Sequence, residues 1–113
     1  FRSLYQRLMA GGAEVLSIPS AFTRPTGEAH FELLMRARAV ETLSYTVAAC
    51  QGGDHDSGRQ TWGQSMVVGP WGDVLGQLGS GEGTLVVNLD LEAVHDRRAE
   101  LPVMNQRQPD IDI

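Results

Sequence analysis

The sequence contains no lysine, because all nine of its basic residues are arginine. The chain by itself therefore cannot form a Walker-A phosphate cradle or a Schiff base, and it offers no lysine as a proton shuttle or oxyanion clamp. It also has a single cysteine, Cys50. One thiol excludes an internal disulfide framework and a multi-cysteine zinc site.

Positive charge and long apolar runs are scarce as well. The 113 residues carry a formal net charge of −5, and the arginines are spread along the chain instead of clustered. This pattern argues against nucleic acid or an anionic membrane surface as the main partner. The longest apolar stretches, such as residues 46–50, fall far below the roughly 18 residues that a membrane helix needs. We expect one globular domain that binds neither nucleic acid nor membrane.

The sequence begins at Phe1 instead of Met, and residues 1–10 contain no signal-peptide core. We therefore expect a fragment whose true N-terminus is missing, and the lack of a targeting segment predicts a cytoplasmic protein.

Apolar periodicity in the N-terminal half predicts two helices and two buried strands. Ser3 followed by Gln6 is typical of a capping box, so a helix is expected from there to the glycines at 11 and 12. Strands are predicted at 13–20 and 45–50. The longest helix is expected to begin at Thr26 as its N-cap and to end near residue 42. An ion pair is expected between its residues 32 and 36. Its predicted apolar face comprises His30, Leu33, Leu34, Ala37 and Val40.

The C-terminal half predicts three strands and one helix. A polar loop at 51–61 is followed by strands at 63–68 and 74–78, joined by a type I turn at 69–72. A further strand is predicted at 84–89. Asp90 is expected to cap a helix over 91–100 that Pro102 terminates, before a polar tail at 104–113. The order α-β-α-β-β-β-β-α predicts an α/β fold with one sheet and helices on one face.

Most candidate motifs have a stronger structural explanation. Gly63-Gln64-Ser65-Met66 begins like a nucleophile elbow, but the fifth residue is a valine in a predicted strand. The glycines at 79, 81 and 83 precede a strand instead of the helix that a phosphate loop requires. Both patterns favour ordinary strand and turn residues.

The histidines and the cysteine are also expected to be structural. Asp54, His55 and Asp56 are metal-type ligands, but neighbours on an extended segment point to opposite sides, so a solvated loop is favoured. His30 is more typical of a core histidine than of a catalytic base. Cys50 ends a buried strand, where a thiol stays neutral and is a poor nucleophile.

The segment Pro19–His30, PSAFTRPTGEAH, is the strongest candidate for a ligand-binding loop. It follows the carboxyl end of a predicted buried strand, which is where open α/β sheets bind ligands. It presents three hydroxyls, an aromatic ring and a glycine just before a helix. A purely structural strand-to-helix connection would have a similar composition.

Four stretches of the sequence together carry a family resemblance. They are PSAFTRPTGEAHFELLMRARAVET, VAACQGGDH, GQSMVVGPWGDVL and LPVMNQRQPD. These stretches resemble the carbon–nitrogen hydrolase (nitrilase) superfamily, particularly its omega-amidases and deaminated glutathione amidases. The resemblance implies that residues 1–113 are the C-terminal part of a single α-β-β-α sandwich domain whose N-terminal part is missing and which assembles into at least a dimer through helical faces. It implies hydrolysis of a small amide by a Glu, a Lys and a nucleophilic Cys, with neither metal nor organic cofactor.

The resemblance places the catalytic residues outside this chain. The family's nucleophile lies in a C-Y-D-L-R-F-like motif whose last residue matches Phe1, and its Glu and Lys lie further upstream. No residue of the chain is therefore expected to be catalytic, and the chain alone is expected to be inactive. The resemblance assigns structural ion pairing to Arg36, Arg38 and Glu41. It assigns substrate contacts to Phe22, Thr23, Thr26, Gly27, Glu28 and His30.

Two hypotheses remain open. In the first, the chain is part of an amidase that acts on a small linear carboxamide, of the α-keto dicarboxylate monoamide or deaminated glutathione type. In the second, it is a degenerate, non-catalytic interaction module with an exposed sheet edge and an apolar half-core.

Overall fold

A four-stranded mixed sheet organises the fold. The structure, a computed structural model, describes residues 2–102, so the predicted tail at 104–113 lies outside the described residues. The sheet order is β1-β2-β5-β6, with β1 parallel to β2 and the other neighbours antiparallel. Its strands are β1 (Val15–Ser17), β2 (Tyr45–Ala48), β5 (Met66–Val68) and β6 (Val74–Gln77).

Helices pack beside this sheet in an α/β arrangement that agrees with the predicted fold class. Helix α1 spans Arg2–Ala10, α3 spans Glu32–Thr42 and α4 spans Leu91–Glu100. Before α3, the chain forms a one-turn helix α2 (Arg24–Thr26) and a π-helical turn (Gly27–Phe31). Helix α3 packs on β2 and β5, and α1 packs against α3.

The starts of the two predicted N-terminal helices are displaced by a few residues. Helix α1 begins at Arg2, so Ser3 occupies a helical position instead of the cap, a shift within the usual uncertainty of helix ends. The predicted N-cap Thr26 lies inside helical backbone, because Pro25 favours the first helical positions and starts α2 earlier. Thr23, in extended conformation, is the N-cap.

The buried face of α3 agrees with the predicted one at Leu34, which packs against the core, but is otherwise different. Phe31, Met35 and Ala39 pack with Ala48, Met66 and Val68 of the sheet in the core. In contrast, Leu33 is 67% exposed, Val40 is 45% exposed, and His30 is exposed. The helix carries two apolar stripes, and the π turn sets the rotation that places the stripe of Phe31 and Met35 against the sheet.

The side-chain pairs along α3 also differ in part. Arg36 donates from Nε to the carbonyl of Gly72 at 2.7 Å instead of pairing with Glu32. Arg38 and Glu41 form an ion pair at 2.9 Å, so the ion pairing assigned to Arg36, Arg38 and Glu41 is confirmed for the last two. The helix ends at the expected place because Leu43 adopts a left-handed conformation with φ 47°.

The segment predicted as a polar loop, 51–61, contains a hairpin. Strand β3 (Gly52–Asp54) pairs antiparallel with β4 (Gln60–Trp62). The loop prediction was wrong because Gly and Asp are unfavourable in strands on local propensity alone, whereas pairing across the turn supplies the backbone partners.

The predicted strand at 84–89 is absent from the described residues. The segment is extended, with alternating exposed and half-buried side chains. Leu85 and Val87 contact the face of β6 at Gly76. The segment thus meets β6 through side chains and not through a ladder of backbone hydrogen bonds.

Helix α4 is fixed to the sheet by polar contacts near its two ends. The Asp90 side chain accepts from the amide of Glu92, which confirms the predicted cap. The Tyr45 hydroxyl donates to the carbonyl of Asp90 at 3.0 Å and accepts from its amide at 3.1 Å. Arg98 donates from Nη2 to the Ser44 hydroxyl at 2.9 Å and to two backbone carbonyls. Burial lowers the pKa of Arg98, but the group remains a cation.

Candidate functional site

The predicted ligand loop leaves β1 beside the end of β2. Ser20 forms an isolated bridge with Cys50, which continues the β1–β2 pairing past both strands. The loop then turns toward β4, where the Trp62 amide donates to the Phe22 carbonyl at 2.8 Å and Thr23 bridges to Thr61. The loop is therefore held between the sheet and the β3–β4 hairpin.

A compact turn brings three of the predicted residues together. The carbonyl of Thr23 accepts from the amide of Gly27 at 2.7 Å and from the Thr26 hydroxyl at 3.1 Å. The Thr23 and Thr26 hydroxyls lie 2.9 Å apart. The turn thus presents a pair of coupled hydroxyls at the surface.

Gly27 is required by the close approach of an indole. A Cβ atom built at Gly27 would lie 2.2 Å from the Cβ of Trp62, although the backbone of Gly27 is ordinary right-handed helix. The absence of a side chain therefore allows β4 to pack directly on the turn.

The other three predicted residues separate into two groups. Phe22 packs edge-on against Phe31 with ring centroids 5.4 Å apart and lies against the core. Glu28 and His30 are exposed on the π turn. Single π turns within helices occur frequently at functional sites.

A cavity of about 310 Å³ opens beside this loop and was not anticipated from the sequence. Arg24 lines it from the loop, Asp54 and Gln60 from the hairpin, and Gln64 from the segment after it. The sequence signal for this cavity was the cluster of polar residues at 51–61, but only the β3–β4 hairpin brings these residues next to Arg24.

Cys50 has the properties of a structural cysteine. It is partly buried, and burial raises the pKa of its thiol, with hydrogen bonds from Ser20 offsetting this only in part. The Ser65 hydroxyl accepts from the Cys50 amide at 2.9 Å. This serine holds the strand end in place and is not on a nucleophile elbow, because β5 follows directly.

The remaining candidates form no site of their own. The imidazole of His55 hydrogen bonds to the Thr61 hydroxyl at 2.8 Å, within the hairpin. Among residues 2–102, no three histidine, cysteine, aspartate or glutamate side chains come together to hold a metal ion. In the turn at 79–83, the carbonyl of Gly79 accepts from the Gln64 amide. No helix within the described part of the chain has the length and apolar character needed to cross a membrane.

Comparison with known proteins connects this architecture to a family. The carbon–nitrogen hydrolase family model matches residues 1–99. The sequence is 46% identical over 111 residues to deaminated glutathione amidase of Bos taurus, a match that covers 98% of this chain and 34% of the relative. The chain therefore spans about a third of the length of that curated relative.

Solved structures of proteins with related sequences have the same fold over this segment. The NitFhit protein of Caenorhabditis elegans superposes with a TM-score of 0.87 at 42% identity, covering 100% of this chain and 27% of that chain. An amidase from Nesterenkonia superposes with a TM-score of 0.70 at 36% identity, covering 95% of this chain and 41% of that chain. The matched segments include the strand-to-helix loop and the hairpin beside it. This chain belongs to the carbon–nitrogen hydrolase family, within the nitrilase superfamily.

Proposed function

We propose that residues 1–113 are the C-terminal part of an amidase domain that hydrolyses a small linear carboxamide to a carboxylic acid and ammonia. The observation that carries this proposal is the 46% identity to a deaminated glutathione amidase over 98% of the chain. Substrates of the α-keto dicarboxylate monoamide or deaminated glutathione type are the proposed class.

The proposed reaction passes through a thioester. A cysteine thiolate attacks the amide carbon, and the C–N bond breaks as the nitrogen takes a proton and leaves as ammonia. Water, deprotonated by a glutamate, then attacks the thioester, and the C–S bond breaks to give the acid and the free thiol. A lysine and a backbone amide stabilise the oxyanion in both halves.

In this proposal the reacting groups are supplied from outside the 113 residues. The chain contains no lysine, and burial keeps its only thiol, Cys50, in the protonated form. The chain itself contributes the wall against which the substrate lies. The residues proposed to contact the substrate are Phe22, Thr23, Thr26, Gly27, Glu28 and His30.

We further propose that the complete protein is a cytoplasmic homodimer. The exposed apolar stripe of α3, with Leu33 and Val40, continues onto Trp71 of the β5–β6 turn. Burial of such a continuous stripe against a symmetric copy is favourable, because apolar surface leaves water on both subunits.

The test is to measure ammonia release from an α-keto dicarboxylate monoamide by the 113-residue chain and by its parent protein. The coding sequence upstream of Phe1 is expected to continue in frame through Cys-Tyr-Asp-Leu-Arg, and the parent is expected to be active. The 113-residue chain is expected to be inactive, as is its Cys50→Ala variant. Activity of the 113-residue chain that Cys50→Ala abolishes would contradict the proposed division of roles.

The second candidate function is a non-catalytic interaction module. The observation in its favour is the number of large apolar side chains left at the surface, among them Val86, which is 85% exposed. A start codon directly before Phe1, together with an inactive and folded chain, would favour this module over the amidase.

A further inference from the structure

The cavity beside the ligand loop has walls from three separate segments. Arg24 comes from the loop, Asp54, Gln60 and Trp62 come from the β3–β4 hairpin, and Gln64 and Ser80 come from the connections that flank β5 and β6. The volume of about 310 Å³ is at the lower end of the range of small-molecule sites.

Backbone contacts that only glycine permits hold these segments together. A Cβ atom at Gly52 would lie 2.3 Å from the carbonyl oxygen of Ser80 and 2.8 Å from the Cα of Gly63. The hairpin and the post-β6 connection therefore cross in van der Waals contact. Ser80, at this crossing, also lines the cavity.

Gln64 is held in a conformation that L-residues seldom adopt. Its φ is +60°, directly after Gly63 at +70°. The amide of Gln64 donates to the carbonyl of Gly79, and the amide of Gly63 donates to the carbonyl of Gln51. Backbone strain of this kind concentrates at functional sites, and Gln64, whose Oε1 accepts from Gln77 Nε2 at 3.4 Å, lines the cavity.

The polar groups of the cavity have unused hydrogen-bonding capacity. Among residues 2–102, the Arg24 guanidinium, the Asp54 carboxylate and the Gln60 amide have no protein partner, and Arg24 and Asp54 are not paired with each other. The cavity thus offers a cation, an anion and an amide to a ligand, next to the half-buried Trp62 ring.

Taking the proposed amidase function as given, we propose that this cavity is a subsite for the distal, carboxylate-terminated peptide portion of the substrate. A guanidinium binds a carboxylate through paired N–H donors, and Asp54 and Gln60 suit the N–H and C=O of a peptide bond. Arg24 lies between Thr23 and Thr26, so a substrate bound at the hydroxyl pair can reach the cavity along the same loop.

The proposal is tested by binding to the 113-residue chain, with no requirement for catalysis. N-acetyl-alanyl-glycine and its C-terminal amide are titrated in turn while backbone amide NMR signals are followed. The carboxylate probe is expected to shift signals of residues 53–54 and 60–64. The amide probe is expected to bind about tenfold or more weakly, because it loses the charge-assisted contact with Arg24.

Matched variants then assign the contacts. Arg24→Gln is expected to weaken the carboxylate probe about tenfold, and Asp54→Asn to weaken both probes. Arg59→Gln removes an arginine from the hairpin tip, outside the cavity, and should leave both affinities unchanged. If Arg24→Gln does not fold, Arg24→Met is used instead, because it retains the aliphatic part of the side chain. The comparison of the two probes on the wild-type chain needs no variant at all.

Equal binding of the two probes, no binding of either, or signal shifts confined to residues outside the cavity would each overturn the subsite. The amidase function is tested separately by ammonia release from the parent. A parent that releases ammonia from a monoamide while the two probes bind equally rejects the subsite alone. A parent with no amidase activity rejects the proposed function, even where the carboxylate probe binds.

Discussion

Gly27 shows how a single residue position can depend on a neighbour far along the sequence. Its backbone, at φ −62° and ψ −49°, is one in which alanine would be favoured over glycine. The reason for glycine is the side chain of Trp62, whose Cβ occupies the space where a Gly27 side chain would begin. The cost of adding a methyl group here is therefore steric and not conformational.

We expect Gly27→Ala to destabilise the chain by about 1–3 kcal/mol, the usual range for inserting a group into a filled space. Urea unfolding of the 113-residue chain, followed by circular dichroism, measures the free energy of unfolding. Gly79→Ala is the control, because a Cβ at Gly79 meets nothing within 4 Å, and its effect should stay within about 0.5 kcal/mol. Equal effects of the two substitutions would contradict the packing account.

Cys50 provides a second prediction at the scale of one residue. Because burial raises its pKa, less thiolate is present at a given pH than in an unstructured peptide. We expect alkylation by iodoacetamide to reach its half-maximal rate at a higher pH in the folded chain than in urea. As the only cysteine, Cys50 is the sole thiol reporter. A folded-state midpoint at or below the urea value would contradict the burial described here.

At the scale of elements, α4 is tied to the segment before β1 by an ion pair. His95 Nε2 lies 2.5 Å from Glu14 Oε1, across 81 positions of sequence. The hydrogen bond and the negative charge of Glu14 raise the pKa of His95 above its ordinary value of 6.5. Because the folded-state pKa is the higher one, the pair stabilises the fold below the unfolded-state pKa and loses this effect as pH rises through the folded-state pKa.

We expect an NMR titration of His95 to give a midpoint above 6.5, and Glu14→Gln to lower it. The difference in unfolding free energy between wild type and Glu14→Gln should be largest on the acidic side of neutrality and should shrink at alkaline pH. Glu92→Gln is the control, since the charge of Glu92 is a smaller cause of the same shift. A His95 midpoint that Glu14→Gln leaves unchanged would refute the pairing.

Elements with local signals could be predicted from the sequence, and elements that depend on distant partners could not. An apolar run predicts strand β2, and the turn at 69–72 predicts the β5–β6 hairpin. Asp90 lies directly before the helix that it caps. In contrast, the β3–β4 hairpin depends on pairing between its two strands, and the buried face of α3 depends on the sheet that packs against it. The same holds for the candidate site: the loop at 23–27 was predicted from its place between a strand and a helix, whereas the polar cavity depends on the hairpin that brings its walls together.

At the scale of the whole molecule, the chain leaves apolar surface in more than one place. Leu33, Val40 and Trp71 form a stripe on the outer side of α3, and Val86 protrudes from the extended segment before α4. Arg97 lies over the Trp71 ring, with its guanidinium carbon 4.2 Å from the centroid, and partly covers the stripe. Such surfaces favour association with a partner.

We expect the 113-residue chain to self-associate, and Leu33→Asp to shift the population toward monomer, because a charge in the stripe opposes its burial. Sedimentation velocity over a concentration series measures the distribution. Val86→Asp places the same charge outside the stripe and should leave the distribution unchanged. If Val86→Asp alone produces monomer, association runs through the extended segment and not through the outer side of α3.

The crossing of Gly52, Gly63 and Ser80 closes the β3–β4 hairpin at its base. Beyond that closure, residues 56–58 project as an exposed tip that lines no part of the cavity, whereas the His55 ring is hydrogen-bonded to Thr61, a residue of the cavity wall. The tip can therefore change in length or composition without moving Asp54, Gln60 or Gln64, which makes it the natural position for a grafted epitope or a fluorescent label.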